Sequence, residues 1–402
     1  MQDEICMAAS AKDVAIFLDP SSWWFYQDRL FQEDRAINVD DRLRPFIELS
    51  RSLSKKGIDV HTADYLVDRQ LGAQYNIYYS FGILTNYKKL ARRRGVILDS
   101  FYIMEPPVAG PQLYREINSL TRYFDKVYVH NTEGVGYERH FSHQSNLRKF
   151  FFPQVKNGVI EHLWNNKDRG FLTMINSNKR PPLDLQVSRG QNPIGFKISL
   201  NRNPGLKDSE LYSERIRALV ALHSLGNVDL YGYGWDTSLY QILREMPYRR
   251  MRKMPYRQNF SYMYWKNRKA LRAIYKGAVK SKYETLSRYR FALSFENMVM
   301  PGYIAEKIFD CLFVGTIPIY LGAPDVGKHI PKSCFIDMRD FGNYAALHSY
   351  LSSLSDNDIS SFREAARGYL SSEQYQPFTK EKFVEQFEVD LKETLKANGV
   401  NL

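Results

Sequence analysis

Apolar positions follow two rhythms along the first 130 residues. Unbroken runs such as Val14 to Leu18 have the length of buried strands, whereas Asp40 to Lys56 spaces its apolar residues three and four apart, as one face of an amphipathic helix does. The same pattern predicts strands at 58–61, 74–80, 96–103 and 126–130. Helices are predicted at 85–94, where Gly95 closes the pattern, and at 114–123. Strands alternating with helices imply a parallel sheet covered by helices.

Between Asn165 and Pro193 the pattern lapses into Lys, Arg, Asn, Pro and Gly, including Arg180-Pro181-Pro182, and a linker is expected at 166–193. A second alternation follows. Its strands are 196–200, 228–231, 291–295 and 316–321, and its helices 209–225, 304–314 and 344–354; an amphipathic helix at 380–396 suits packing on either half. The expected fold class is α/β, with two Rossmann-like doubly wound domains and an interdomain cleft at the carboxyl ends of the strands. The domains are expected at 1–165 and 194–354, with a helical tail at 355–402.

Composition narrows the reading only slightly. A chain of 402 residues exceeds one ordinary core. Its hydrophobic share of 44% and charged share of 25% are those of globular proteins. The aromatic share is 14%, which suits clefts that stack on sugars or bases and equally suits aromatic cores. Cys6, Cys311 and Cys334 are too scattered for a disulfide framework or a metal motif, so a reducing compartment is expected. Residues 1–12 lack a long apolar run, and no later stretch approaches the ~20 apolar residues of a membrane span. The expected location is cytoplasmic, with peripheral attachment at the inner face of the membrane as a further option.

The densest chemistry lies in Phe295-Glu296-Asn297 and the nearby Tyr303-Ile304-Ala305-Glu306-Lys307. A helix starting near Tyr303 would put Tyr303, Glu306 and Lys307 on one polar face and turn Ile304, Ile308 and Leu312 to the core. Free N–H groups at a helix start favour phosphate, a lysine adds charge, and a carboxylate accepts ribose hydroxyls. A plain surface ion pair has the same spacing.

The run from Tyr289 to Arg339, with Phe295-Glu296-Asn297, Tyr303-Ile304-Ala305-Glu306-Lys307 and the strand around Pro318-Ile319, resembles the family 10 glycosyltransferases, the α1,3/α1,4-fucosyltransferases. It departs at Ala305, where the family usually has Thr. The resemblance implies a GT-B fold and an inverting transfer of L-fucose from GDP-fucose to an acceptor glycan hydroxyl, with α1,3 linkage to N-acetylglucosamine or glucose as one option. It places Lys307 on the GDP diphosphate, Glu306 on the ribose and Tyr303 against the nucleotide sugar, with Asn297 nearby. Arg215, seven residues before Leu222 and upstream of Val228-Asp229-Leu230-Tyr231-Gly232, matches the family's arginine, whose fork suits a diphosphate. Arg217 would point away from Arg215 on the same helix.

Glu105-Pro106-Pro107 looks like the family's Glu-Ser-Pro motif, which implies that Glu105 is the catalytic base; partial desolvation at the end of strand 96–103 would raise its pKa. A glutamate capping a Pro-rich turn is the alternative. Trp23-Trp24-Phe25-Tyr26 suits stacking on a sugar, but a packed core cluster is the simpler expectation. No cofactor is expected, because Arg215 and Lys307 can neutralise the diphosphate, and a divalent metal would be at most stimulatory. Asp356-Asn357-Asp358 reads as a helix cap, and His140 with His143 lacks a third ligand.

The net charge of +12 is local. Between Leu243 and Lys282 there are 13 Lys or Arg and a single acidic residue, Glu245, so the remainder of the chain is neutral. Met246-Pro247-Tyr248-Arg249 recurs as Met254-Pro255-Tyr256-Arg257, and the segment reads as an insertion into the family's fold. Basic residues among aromatics suit an anionic membrane surface, and a solvated loop fits equally. Three other functions stay open: transfer of another GDP-sugar on the same fold, a sugar-binding scaffold without catalysis, and a basic nucleic-acid-binding protein. The last explains this segment alone, so nucleic acid is not an expected partner.

Overall fold

The computed structural model describes residues 13–82, 85–133, 145–179, 188–189, 196–197, 210–236 and 259–400. The chain divides into two compact units, residues 1–157 with 375–402, and residues 158–374.

In the first unit, six parallel strands form one sheet: β1 (Val14–Asp19), β2 (Asp59–Thr62), β3 (Tyr75–Ser80), β4 (Val96–Tyr102), β5 (Lys126–Val129) and β6 (Leu147–Lys149). Their spatial order is β2-β1-β3-β4-β5-β6. All six residues of β1 are buried, as a parallel strand covered on both faces requires. Helix α1 (Arg44–Lys55) buries Ile47, Leu49 and Leu53, each worth roughly 1.5–3 kcal/mol on transfer from water. It starts four residues later than its pattern predicts, because Asp40 and Asp41 both hold left-handed φ angles that no helix admits. Helix α2 (Pro111–Tyr123) starts with proline, whose fixed φ suits a first turn.

Much of the aromatic excess lies in this core. Phe81, Tyr102 and Tyr128 form a continuous stack, with centroids 4.4 and 4.5 Å apart and planes within 7°.

The second unit holds β7 (Gly170–Ile175), β10 (Val228–Tyr231), β11 (Tyr289–Phe295), β12 (Ile317–Leu321) and β13 (Ile336–Asp337), in the order β10-β7-β11-β12-β13. Its helices are α3 (Tyr212–Leu225), α4 (Asn259–Ile274), α5 (Lys282–Leu286), α6 (Glu306–Leu312), α7 (Tyr344–Ser353) and α8 (Asp356–Leu370). The expected linker is thus interrupted by an interior strand. Phe171 to Ile175 is a short apolar run among polar neighbours, and β7 pairs with β10 on one side and β11 on the other. Arg169, just before it, satisfies the Val314, Trp164 and Gly315 carbonyls at 2.8, 2.9 and 3.1 Å, so the charge next to the run has a structural use. Conversely, Phe196–Lys197 (β9) pairs antiparallel with Ser188–Arg189 (β8) and not with the main sheet.

The expected tail also divides. Helix α8 stays with the second unit, where Ser355 and Asp358 close a capping box, while α9 (Lys380–Ala397) belongs to the first. The Phe387 ring of α9 sits 4.0 Å from Tyr79, Asp390 accepts from the Tyr128 hydroxyl, and Lys126 Nζ donates to Thr394 at 3.2 Å. Buried hydrogen bonds as well as apolar contacts fix it there.

In each sheet the order reverses beside the first strand, between β1 and β3 and between β7 and β11. Ligand crevices in open α/β sheets lie at such points, outside the carboxyl ends of the strands.

Candidate functional site

At the second unit's reversal point, β11 ends at Phe295, and Glu296 N–H donates to the Leu321 carbonyl at 2.8 Å, holding the ends of β11 and β12 level. The chain then turns through Gly302, whose φ of 73° suits glycine, and enters α6 at Glu306. Tyr303 therefore precedes the helix, in contrast to the expected helical start there. Ala305 is extended and serves as N-cap without a side-chain hydrogen bond. Ile308 and Leu312 face the core as expected.

Despite that shift, Arg215, Asn297, Tyr303, Glu306 and Lys307 fall into one cluster. Arg215, from the first turn of α3, is 2% exposed. Its Nη2 donates to the Phe295 carbonyl at 2.7 Å, the Glu296 carbonyl at 2.7 Å and Asn297 Oδ1 at 3.1 Å. Its Nε and Nη1 are buried without a hydrogen-bond partner among the described residues. The guanidinium carbon sits 5.1 Å from the Tyr212 ring centroid. Asn297 Nδ2 donates to Tyr303 Oη at 3.2 Å.

Glu296 binds this cluster together, a role the residue pattern did not assign although the residue stands inside the Phe-Glu-Asn signature. Its Oε2 accepts from Lys307 Nζ at 2.9 Å and its Oε1 from the Ala305 N–H at 2.8 Å. Glu306 Oε1 lies 3.6 Å from the same Nζ.

Burial raises the Glu296 carboxyl above its ordinary range against the pull of Lys307. For Glu306 burial also raises, but Lys307 and Lys282 outweigh it and hold the carboxyl at about 2. Lys307 is raised despite its burial, because Glu296 and Glu306 stabilise its charge, while Arg215 nearby opposes it. Desolvation lowers the Arg215 guanidinium. Two cations thus share a largely dehydrated crevice, and among the described residues only the lysine has a carboxylate within ion-pair distance.

A cavity of about 770 Å³ opens at the amino ends of β7, β10 and β11, away from this cluster. Its charged pair, Asp229 and Lys276, is matched internally at 3.4 Å. The orphaned donors are at the carboxyl ends, and the candidate site is placed there.

In the first unit, β4 ends at Tyr102 and not at Ile103, and Glu105 follows in the loop. Its carbonyl accepts from Tyr114 Oη at 2.9 Å, while its side chain is exposed, so the expected desolvation is not supplied within this unit. Trp23 and Trp24 also depart from expectation. They are 63% and 49% exposed in a 3-10 turn after β1 and form no core cluster.

His140, His143 and residues 243–258 lie outside the described residues. Among the described residues, no group of three or more His, Cys, Asp or Glu is placed to hold a metal ion, and no helix is long and apolar enough to cross a membrane.

Residues 209–365, which contain the whole cluster, match the family model described as glycosyltransferase family 10 (fucosyltransferase), C-terminal. An alpha-(1,3)-fucosyltransferase FucT of Helicobacter pylori is 45% identical over 73 residues, 18% of this chain and 15% of that protein. An alpha-(1,4)-fucosyltransferase of Arabidopsis thaliana is 36% identical over 74 residues, 18% of each chain. The similarity thus spans less than a fifth of these relatives' length. Over 94% of this chain and 99% of the other, the crystal structure of Anabaena HepE in complex with UDP and glucose is similar at a TM-score of 0.52 and 10% identity. That likeness is one of fold, and with the two parallel sheets it assigns the GT-B class.

Proposed function

We propose that this chain, whose residues 209–365 match the family model described as glycosyltransferase family 10 (fucosyltransferase), C-terminal, transfers L-fucose from GDP-fucose to a hydroxyl of an acceptor glycan, with inversion at the sugar carbon. The observation that carries the reading is Arg215. A buried guanidinium whose Nε and Nη1 are both unmatched is costly by about 1–3 kcal/mol per nitrogen, and a diphosphate, with anionic oxygens on two phosphates, can satisfy both edges of the group.

In this reading the diphosphate lies on Arg215 Nε and Nη1 and on Lys307, and relieves the repulsion between the two cations. Glu306, ionised at any physiological pH, accepts ribose hydroxyls. Tyr303 and Asn297, already hydrogen-bonded to one another, line the nucleotide sugar. As the sugar–phosphate bond breaks, charge develops on the leaving diphosphate, and preorganised cations stabilise that change without reorganising. No cofactor takes part. Glu105 removes the acceptor proton as the new bond forms.

Two features support the reading beyond Arg215: the matched segment contains every donor-site residue, and its relatives named above are fucosyltransferases. Calorimetry with GDP, followed by transfer assays with GDP-fucose, GDP-mannose and UDP-sugars, tests it. Micromolar GDP binding and fucose transfer are expected, with transfer lost and GDP binding kept in Glu105→Gln. No GDP binding would reject the reading, and preference for GDP-mannose would reassign the donor.

Peripheral attachment to an anionic membrane belongs to the same proposal. Lys266, Lys269 and Arg272 are exposed on α4, and each such residue adds about 1 kcal/mol near an anionic surface. Liposome sedimentation tests it: equal binding to neutral and anionic vesicles would sink it.

A further inference from the structure

The first unit has its own reversal point, between β1 and β3, and the segment crossing it is built to hold two indoles in solvent. Asp19 at the end of β1 is fully buried, and its carboxylate accepts from Tyr26 Oη at 2.9 Å, Asn86 Nδ2 at 3.0 Å and the Tyr78 hydroxyl. Asn86 also donates to Tyr26 Oη at 2.7 Å. Ser22 caps the Trp23–Phe25 turn by accepting the Trp24 N–H at 3.2 Å.

Downstream, Gln27 and Asp28 both hold left-handed φ angles, 58° and 56°, unusual for consecutive residues with side chains. They are held by contacts to β2 and the turn after it: the Asp28 carboxylate takes the Thr62 N–H at 2.7 Å and His61 Nδ1 at 2.9 Å, and Asp64 takes the Gln27 N–H at 3.0 Å. From the β3 side, Gly82 comes so close that a Cβ there would lie 2.6 Å from Ser21 Cα. The turn is over-determined from both sides, yet its largest apolar groups are exposed.

We infer that the Trp23–Trp24 turn is a binding platform for a neutral pyranose of the acceptor glycan. The apolar C–H face of a sugar ring stacks on an indole while its hydroxyls reach polar neighbours. The rings here lie 5.8 Å apart at 70°, and the Arg29 guanidinium sits 5.5 Å from the Trp24 ring centroid. Charge selects against the other ordinary partner of exposed tryptophans, an anionic membrane. Residues 13–41 carry seven acidic and two basic side chains, a net of −5.

Position within the sheet links the platform to the acceptor. Asp19 is in register with Ser80, and Ser80 with Phe101. Trp23 stands four residues past the first of this row and Glu105 four past the last. Two strand spacings separate them laterally, about 10 Å, which one or two sugar residues span. The inference rests on the transferase reading for the identity of its ligand as acceptor, but the platform itself is tested without turnover.

Saturation-transfer NMR on the full chain, with N-acetyllactosamine, lactose, chitobiose and mannobiose as separate probes, should show contact between indole protons and the ring face of at least one disaccharide. The Trp23→Ala, Trp24→Ala double variant should lose that signal at least fivefold while its far-UV spectrum, melting temperature and GDP affinity stay as in the parent. For a disaccharide that is turned over, KM should rise at least tenfold with kcat unchanged. Absence of signal from all four probes, an equal signal in the double variant, or indole burial by phosphatidylserine vesicles without a sugar response would each overturn the platform. Failure of the transferase reading would instead appear as absent GDP binding.

Discussion

Glu296 and Lys307 form a buried ion pair in which one carboxyl also fixes the backbone that leads into α6, with Oε2 2.9 Å from Lys307 Nζ and Oε1 2.8 Å from the Ala305 nitrogen. Removing one partner of such a pair costs about 3–5 kcal/mol, because the survivor stays dehydrated. Lys307 keeps Glu306 at 3.6 Å, so the lower end applies. Glu296→Ala should lose about 3 kcal/mol, and Glu296→Gln, which can still accept the Ala305 N–H, clearly less. Urea unfolding ranks the two, and equal losses would remove the charge from the account.

Arg215→Lys keeps a cation but gives up the spread of donors around the guanidinium. GDP affinity should fall at least tenfold by calorimetry, about 1.4 kcal/mol, because a lysine cannot supply Nε and Nη1 together. Unchanged affinity would place the diphosphate elsewhere.

Gly322 tests the packing behind the site. A Cβ there would come within 2.5 Å of both Glu296 Cγ and Tyr320 Oη. Gly322→Ala should displace Glu296, destabilise the chain by about 1–3 kcal/mol and weaken GDP binding, although residue 322 itself is assigned no ligand contact. A thermal melt and a GDP titration of this variant that both match the parent would show that the crevice has slack.

The buried His130, whose Nε2 lies 2.9 Å from the Met104 carbonyl, is pushed down to about 3 by desolvation. Unfolded, it takes a proton near 6.5. As pH falls below that value the unfolded chain binds the proton and the folded one does not, so stability falls by up to ~1.4 kcal/mol per unit until about 3. Asp99, pushed up to about 6 by burial, acts oppositely between about 6 and 4. Subtracting the pH profile of His130→Gln from that of the parent isolates the histidine. A flat difference between pH 7 and 5 would mean that His130 takes up its proton over the same range folded as unfolded.

The clustering of the second unit's candidate residues was largely legible, because Phe295-Glu296-Asn297 and Glu306-Lys307 lie close along the chain and share one turn. What escaped was set by contacts distant in sequence. Tyr303 was expected on the helix, but Gly302 and the extended Ala305 delay its start. β7 was hidden in a polar stretch because its four apolar residues become a strand through pairing with β10 and β11, about 55 and 120 positions onward. The exposure of Trp23 and Trp24 depends on Asp19, Asp28 and Gly82, none of which marks the dipeptide in the pattern. Glu105 remained the least informative position, since an acid before two prolines has the same spacing whether it caps a turn or accepts a proton.

Helix α9 completes the first unit from the far end of the chain, so the second unit is, in connectivity, a passenger inside the first. During synthesis, Tyr79 and Tyr128 lack the part of their cover that Phe387 and Asp390 supply until those residues leave the ribosome. By then residues 158–374 have all been made. The part of the molecule read here as holding the nucleotide can therefore mature first, while the part read as choosing the acceptor is finished last.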